Sequence, residues 1–146
     1  MKICIIGTGY VGLVTGACFS YVGNSVTCVD INQGKIENLQ KGIIPIFEPG
    51  LDKVVKQGMM DKCLEFSSDL KHNIISSDII FIAVGTPMSN DGSPDLSYIY
   101  QAAEDVGNYI NDYKIIVTKS TIPVGTTFKV KDIIKKKIQS KGQKIE

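Results

Sequence analysis

The sequence predicts an α/β fold, a doubly wound parallel sheet in a single domain. Short apolar runs alternate with amphipathic segments of helical length, which is the pattern of parallel strands joined by crossover helices. The run at residues 79–84 is uniformly apolar, as expected of a central strand covered on both faces. The 146 residues suit one domain, and 43% hydrophobic residues supply its core.

The first predicted elements surround a glycine-rich turn. An apolar strand at residues 2–6 runs into this turn, and a helix over residues 11–22 follows it. A second apolar strand, residues 26–30, ends in an acid and precedes a helix over residues 33–40. The remaining predicted strands are residues 64–67, 79–84 and 115–118, and the remaining predicted helices are residues 51–57, 96–110 and 126–140.

Two helix starts have identifiable signals. Glu48 precedes the helix at residue 51, where its charge is favourable near the positive helix end, and Asp95 and Ser97 offer an N-cap to the helix over residues 96–110. We find five strands where a full doubly wound fold often has six, so we expect that a further strand is cut off or barely begun at residues 143–146.

The last helix carries most of the positive charge. Seven lysines lie in residues 129–146, against Asp132 and Glu146. They interleave with an apolar stripe at helical spacing, so we interpret them as the solvent-exposed face of an amphipathic helix. We therefore predict no nucleic-acid partner. The stripe consists of Val130, Ile133, Ile134 and Ile138.

The glycine-rich turn has the GxGxxG pattern of Rossmann-like dinucleotide-binding folds. Gly7 permits a sharp turn out of the strand, Gly9 leaves room for a pyrophosphate, and Gly12 permits close packing of the helix. The helix N-terminus offers unpaired N–H groups to phosphate oxygens. The alternative is a tight strand-to-helix turn without a ligand.

Asp30 favours the dinucleotide interpretation and selects the cofactor. It ends the second predicted strand, where an acid accepts hydrogen bonds from the adenosine ribose hydroxyls. Its charge repels a 2′-phosphate, and the sequence contains no arginine to bind one. We therefore predict NAD rather than NADP. Lys35 can reach an adenosine-side phosphate or hydroxyl, or it is an ordinary solvated lysine.

Metal binding, membrane insertion and secretion are not predicted. His72 lies between polar positions, and Asp91 and Asp95 lack further ligands. No segment has the length of a membrane span or the pattern of a signal peptide, so we expect a cytoplasmic protein. The cysteines show no metal-ligand spacing and are interpreted as small core residues in a reducing compartment. They are Cys4, Cys18, Cys28 and Cys63.

Two later loops also follow predicted strands, where ligands bind in such sheets. Residues 85–95 contain Thr86 within strong turn-forming sequences, and residues 119–127 contain Lys119, Ser120 and Thr121. The hydroxyls are candidates for contacts with nicotinamide, a phosphate or a reacting oxygen. Alternatively, this last segment only starts the final helix.

Taken together, these segments resemble the N-terminal domain of the UDP-glucose/GDP-mannose dehydrogenase family over essentially the whole chain. The ordered set is far more specific than the glycine pattern alone. It comprises residues 6–14 (IGTGYVGLV), 45–51 (PIFEPGL), 84–87 (VGTP), Asp91-Gly92 with Asp95-Leu96, and 119–126 (KSTIPVGT).

The resemblance implies oxidation of the C6 alcohol of a nucleotide sugar to a carboxylate with two NAD and one water. UDP-glucose is favoured over GDP-mannose and UDP-N-acetylmannosamine. The resemblance also implies a cysteine thioester intermediate and a role for Thr121 in positioning water or a proton-transfer network. The expected cofactor-binding residues are Gly7, Gly9, Tyr10, Val11, Gly12, Asp30, Lys35, Thr86 and Thr121.

The family's nucleophilic cysteine, central dimerisation helix and C-terminal UDP-binding domain have no counterpart in residues 1–146. None of the four cysteines matches the nucleophile's glycine-rich setting. We therefore expect this polypeptide to bind NAD without turning over UDP-glucose, and to be a monomer where the full-length enzyme is a homodimer. The alternative from another class is a stand-alone NAD-sensing regulatory module.

Overall fold

In the computed structural model, which describes residues 1–142, the protein is a parallel five-stranded sheet with helices on both faces. The further strand expected at residues 143–146 lies outside the described residues. The strands are β1 (Lys2–Ile6), β2 (Ser25–Val29), β3 (Leu64–Ser67), β4 (Ile79–Ile82) and β5 (Ile115–Thr118). The helices are α1 (Tyr10–Tyr21), α2 (Gln33–Gln40), α3 (Leu51–Met60), α4 (Leu70–Ser76), α5 (Ser97–Tyr109) and α6 (Thr126–Ser140).

The strand order, β3-β2-β1-β4-β5, confirms the doubly wound α/β fold. The chain moves outward from β1 to β3, then returns to place β4 on the other side of β1. This reversal creates a crevice beyond the carboxyl ends of β1 and β4, where ligands bind in such folds. The two strands are held in register from Ile3 opposite Ile79 to Ile6 opposite Ile82.

Each central strand contributes to two cores because successive side chains point to opposite faces. In β1, Ile3 and Ile5 pack with α1, α2 and α3, whereas Cys4 and Ile6 pack with α4, α5 and α6. Ile5 is fully buried, and burying a side chain of this kind contributes roughly 1.5–3 kcal/mol. The double burial explains why these strands have continuous apolar sequences.

The structure corrects the predicted element list at α4. The seven-residue helix was missed because about two turns are too short to establish a helical period. Asp69 starts it, since its Oδ1 accepts a hydrogen bond from the His72 N–H at 2.9 Å, and Ile74 anchors it in the core.

Several predicted boundaries also differ. β2 ends one residue before Asp30, and β4 ends at Ile82 rather than residue 84. α3 continues past its predicted end to Met60. Gly58 lets this longer α3 pack closely on α1, because an added Cβ would lie 2.8 Å from Ser20 Oγ.

The amphipathic final helix is confirmed. Val130, Ile134 and Ile138 of α6 are buried, and the helix packs against α5. Lys141 Nζ donates to the carbonyls of Asn108 and Ile110, at 2.9 and 3.3 Å, so this lysine stabilises the end of α5. Among the described residues, no helix combines the length and apolar character needed to cross a membrane.

Candidate functional site

The glycine turn joins β1 to α1 in a space too small for side chains. Gly7 has a φ of +104°, which favours glycine, and an added Cβ would lie 2.6 Å from the Ala83 carbonyl oxygen. An added Cβ on Gly12 would collide with the Gly7 carbonyl oxygen. These two glycines therefore let the start of α1 lie directly over the ends of β1 and β4.

The N-terminus of α1 is open to a ligand. Gly9 is its N-cap residue, makes no side-chain cap, and would have nothing within 4 Å of an added Cβ. The first bond within the helix runs from the Leu13 N–H to the Gly9 carbonyl oxygen at 2.9 Å, so the preceding amides have no partner in the helix. α2, by contrast, is capped by the Asn32 side chain. The start of α1 is therefore suited to bind an anion.

The Asp30 carboxylate lies beside this turn and is held by four donors. Its Oδ2 accepts hydrogen bonds from the Thr8 N–H at 3.0 Å and the Thr8 hydroxyl at 2.7 Å. Lys35 Nζ lies 3.1 Å from the same oxygen and forms an ion pair with it. Asp30 Oδ1 accepts from the Asn32 N–H at 3.1 Å.

These contacts keep Asp30 ionised. Burial alone would raise the pKa of this carboxyl, but the hydrogen bonds from Thr8, Asn32 and Lys35 outweigh that effect and hold the pKa below its ordinary value. The side chain of Asp30 is only 13% exposed, and that of Lys35 is 30% exposed. The site thus presents a fixed carboxylate acceptor beside an open helix N-terminus.

Both features line one cavity of about 370 Å³ at the carboxyl ends of β1, β2 and β4. This volume is within the range of small-molecule sites. Four predicted site residues meet in its wall: Gly7, Gly9, Asp30 and Lys35. Tyr10 and Val11 are exposed at the start of α1 next to it. Further lining residues include Ile31, Leu70, Pro87, Tyr98, Gln101 and Asp105.

The wall contributed by α5 was missed in the sequence. Tyr98, Gln101, Ala102 and Asp105 lie three or four residues apart and face the cavity along one side of the helix. Their helical spacing was a usable signal, but only the strand order shows that this side of α5 faces β1. Thr8 was also missed, because its partner Asp30 is 22 positions away.

The remaining predicted residues lie at the adjacent strand ends. Thr86 is half-buried, and its hydroxyl donates to the backbone carbonyl of Thr121 at 3.2 Å. The Ser120 hydroxyl donates to the Val84 carbonyl at 2.7 Å, so the loops after β4 and β5 are joined. Thr121 itself is exposed. Gly85 and Pro87 on either side of Thr86 line the cavity.

The four cysteines, all predicted to be core residues, differ in burial, and Cys63 is only half-buried. Cys4 and Cys28 are buried as predicted, and burial raises the pKa of the Cys4 thiol to about 12. The prediction that Cys18 is a core residue was wrong, because the buried face of α1 is formed by other positions and Cys18 is exposed. In residues 1–142, no group of three or more His, Cys, Asp or Glu side chains is placed to hold a metal ion.

Comparison with known proteins decides the family. The model of the NAD binding domain of the UDP-glucose/GDP-mannose dehydrogenase family matches residues 1–146. The chain belongs to the UDP-glucose/GDP-mannose dehydrogenase family. It is therefore an NAD-binding domain, which confirms the predicted cofactor.

Individual relatives agree with this assignment. The chain is 52% identical over 142 residues to UDP-glucose 6-dehydrogenase TuaD of Bacillus subtilis, covering 97% of this chain and 30% of that protein. Its structure matches a UDP-glucose dehydrogenase from Pyrobaculum islandicum with a TM-score of 0.91 and 34% identity, over 99% of this chain and 34% of that one.

A GDP-mannose dehydrogenase from Pseudomonas aeruginosa, crystallised as a ternary complex, matches with a TM-score of 0.88 and 36% identity. That match covers 99% of this chain and 33% of the other. The chain thus spans about a third of the length of each of these dehydrogenases.

Proposed function

We propose that residues 1–146 are the NAD-binding domain of a UDP-glucose 6-dehydrogenase, which oxidises UDP-glucose to UDP-glucuronate. The observation that carries this proposal is the contact between Thr8 and Asp30. It holds a carboxylate that can accept hydrogen bonds from a ribose directly beside a helix N-terminus that has no side-chain cap and can bind a pyrophosphate. The central dimerisation helix, the UDP-binding domain and the nucleophilic cysteine belong to the part of the enzyme outside this chain.

The cavity fits the adenosine half of NAD. The amides of Tyr10 and Val11 at the start of α1 bind the pyrophosphate, which approaches over Gly9, where an added Cβ meets no atom within 4 Å. Asp30 accepts hydrogen bonds from the ribose hydroxyls, and Lys35 contacts the same ribose or its phosphate. Gly7 and Gly12 act sterically, by allowing this approach. Bound NAD supplies the hydride acceptor for the oxidation.

The loops after β4 and β5 would hold the nicotinamide half of NAD. Thr86 orients the second loop through its hydrogen bond to the Thr121 carbonyl. The exposed Thr121 hydroxyl contacts the cofactor and positions water or a transferred proton at the reacting carbon. Addition of the cysteine thiolate to the aldehyde would keep this intermediate bound to the enzyme between the two oxidations. The second oxidation would then give the thioester, which water hydrolyses to the carboxylate.

UDP-glucose is favoured as the substrate because the chain is 52% identical to a UDP-glucose 6-dehydrogenase. GDP-mannose is the alternative, supported by the likeness to the Pseudomonas aeruginosa enzyme. Replacing the corresponding segment of Bacillus subtilis TuaD with residues 1–146 tests whether this domain supports the reaction. We expect the chimera to form NADH with UDP-glucose and the isolated chain to bind NAD without turnover.

Three results of these experiments would contradict parts of the proposal. A folded chimera that binds NAD but oxidises neither sugar would contradict the assignment to this reaction. Faster oxidation of GDP-mannose than of UDP-glucose would favour the alternative substrate. Sustained NADH formation by the isolated chain would show that the reaction does not need the missing part.

A further inference from the structure

Thr8 is buried completely, although it lies in a loop at the edge of a ligand cavity. It is one of five buried polar or charged residues in the described chain. Its side chain points away from the open space above Gly9 and toward Asp30. Both polar groups that Thr8 directs there, the N–H and the hydroxyl, bond the same carboxylate oxygen.

The two oxygens of Asp30 are consequently unequal. Oδ2 receives three donors at 2.7 to 3.1 Å, two from Thr8 and one from Lys35. Oδ1 receives one, from the Asn32 N–H. Since a carboxylate oxygen has two lone pairs, Oδ1 retains capacity for a ligand hydroxyl, whereas Oδ2 is saturated. The carboxylate is thus anchored by one oxygen and presents the other.

Of the two side-chain anchors, the Thr8 hydroxyl makes the shorter contact with Asp30, at 2.7 Å against 3.1 Å for Lys35, and it is the more buried. Lys35 has a long side chain that is 30% exposed, so its ammonium group can exchange Asp30 for water or for a ligand phosphate. Thr8 is rigid at χ1 and fully enclosed. It also connects the turn that receives the pyrophosphate to the acid that receives the ribose.

We propose that Thr8 is a positioning residue for the cofactor's adenosine ribose, whose hydroxyl fixes the Asp30 carboxylate so that Oδ1 faces the ribose. This inference rests on the proposed placement of the ribose at Asp30. A purely structural threonine would support only the folding of the turn. If Thr8 is a positioning residue, the effect of its substitution on NAD affinity depends on the presence of Asp30. If Thr8 only supports folding, that effect is the same with and without Asp30.

The test measures NAD affinity of the 146-residue chain by titration calorimetry. Thr8→Val removes the hydroxyl with little change in shape and should weaken NAD binding about tenfold, as expected for a lost hydrogen bond to a charged group. Thr8→Ser retains the hydroxyl and should bind within about threefold of the unmodified chain. Thr15→Val is the matched control, because its hydroxyl bonds only the Val11 carbonyl of its own helix, at 2.6 Å.

A double-mutant cycle separates positioning from folding. If Thr8 acts through Asp30, Thr8→Val should cost little further affinity in an Asp30→Asn background. The pH at which affinity is lost on acidification should also rise in Thr8→Val, because the hydroxyl favours the ionised carboxylate. Lys35 and Asp105, the other charged residues lining this cavity in the described chain, are unchanged in both proteins.

Each outcome is decisive. Equal losses from Thr8→Val with and without Asp30, or failure of Thr8→Ser to restore affinity, would overturn the positioning role alone. Absence of NAD binding, or unchanged binding in Asp30→Asn, would overturn the proposed ribose site as well. Thermal unfolding checks that each variant folds, and Thr8→Ala replaces Thr8→Val if the latter does not.

Discussion

Alanine substitutions at Gly9 and Gly12 should have opposite consequences for stability and cofactor binding. Gly9 has ordinary backbone angles, φ −72° and ψ −172°, and an added Cβ meets no atom within 4 Å. Gly9→Ala should therefore change the free energy of unfolding by less than about 1 kcal/mol. Its methyl group occupies the space through which the pyrophosphate approaches, so NAD affinity should fall by about 1–3 kcal/mol, roughly five- to 150-fold.

Gly12→Ala should instead lower the free energy of unfolding. The added Cβ overlaps the Gly7 carbonyl oxygen, which is backbone and held by the turn, and also approaches Ala83 Cβ at 3.4 Å. Overpacking of this kind costs about 1–3 kcal/mol, and the rigid neighbour places the expected loss at the upper end of that range. Relief of the overlap requires α1 to move away from β1.

Urea unfolding and NAD calorimetry on both variants measure the two effects. Gly34→Ala serves as the control for a generic glycine substitution, because its nearest contact is an ordinary 3.6 Å to Asn32 Oδ1. Unchanged NAD affinity in Gly9→Ala would refute the approach of the pyrophosphate over this residue. Unchanged stability in Gly12→Ala would refute the close packing of α1 on the turn.

Three further predictions concern charge and catalysis. Because the folded pKa of Asp30 is lowered, its contribution to stability is present above the ordinary carboxyl pKa and is lost as the pH falls through the folded value; Asp30→Asn should remove this part of the pH dependence of Tm. Lys141→Met should lower stability by about 0.5–1.5 kcal/mol in urea unfolding, since it removes the donor to the end of α5, whereas Lys136→Met at an exposed position should not. In the TuaD chimera, Thr121→Ala should lower kcat about a hundredfold and Thr127→Ala should not; equal kcat in both would exclude a catalytic hydroxyl at Thr121.

Local sequence patterns predicted most of the fold because each pattern had a local physical cause. The apolar runs of β1 and β3 and the stripe of α6 reflect burial of whole faces, and their predicted bounds match the structure. α4 escaped prediction because its start depends on one capping side chain, Asp69, and its burial on few residues. Such a short helix is stabilised by its packing in the folded protein and carries little periodic signal.

The site was predictable where motif spacing encodes geometry and unpredictable where contacts depend on strand order. Gly7, Gly9 and Asp30 follow from their distances along the chain to the ends of β1 and β2. The α5 residues that line the cavity meet the glycine turn only when β4 returns beside β1, whereas Thr8 meets Asp30 because β2 pairs with β1. Thr8 occupies the first variable position of the GxGxxG pattern, so the pattern does not specify its identity. A threonine matters there because its hydroxyl bonds the Asp30 carboxylate.

The hydrogen bonds around Asp30 couple the position of the pyrophosphate subsite to that of the ribose subsite. Thr8 lies between Gly7 and Gly9, and its two bonds to Asp30 span 22 positions of sequence, from the turn after β1 to the end of β2. Asn32, which caps α2, bonds the same carboxylate through its N–H. A displacement of the turn therefore moves the ribose acceptor with it, so that substitutions in the turn and at Asp30 should show coupled effects on NAD affinity. Additive effects across Gly9→Ala and Asp30→Asn would show instead that the two subsites bind their halves of the cofactor independently.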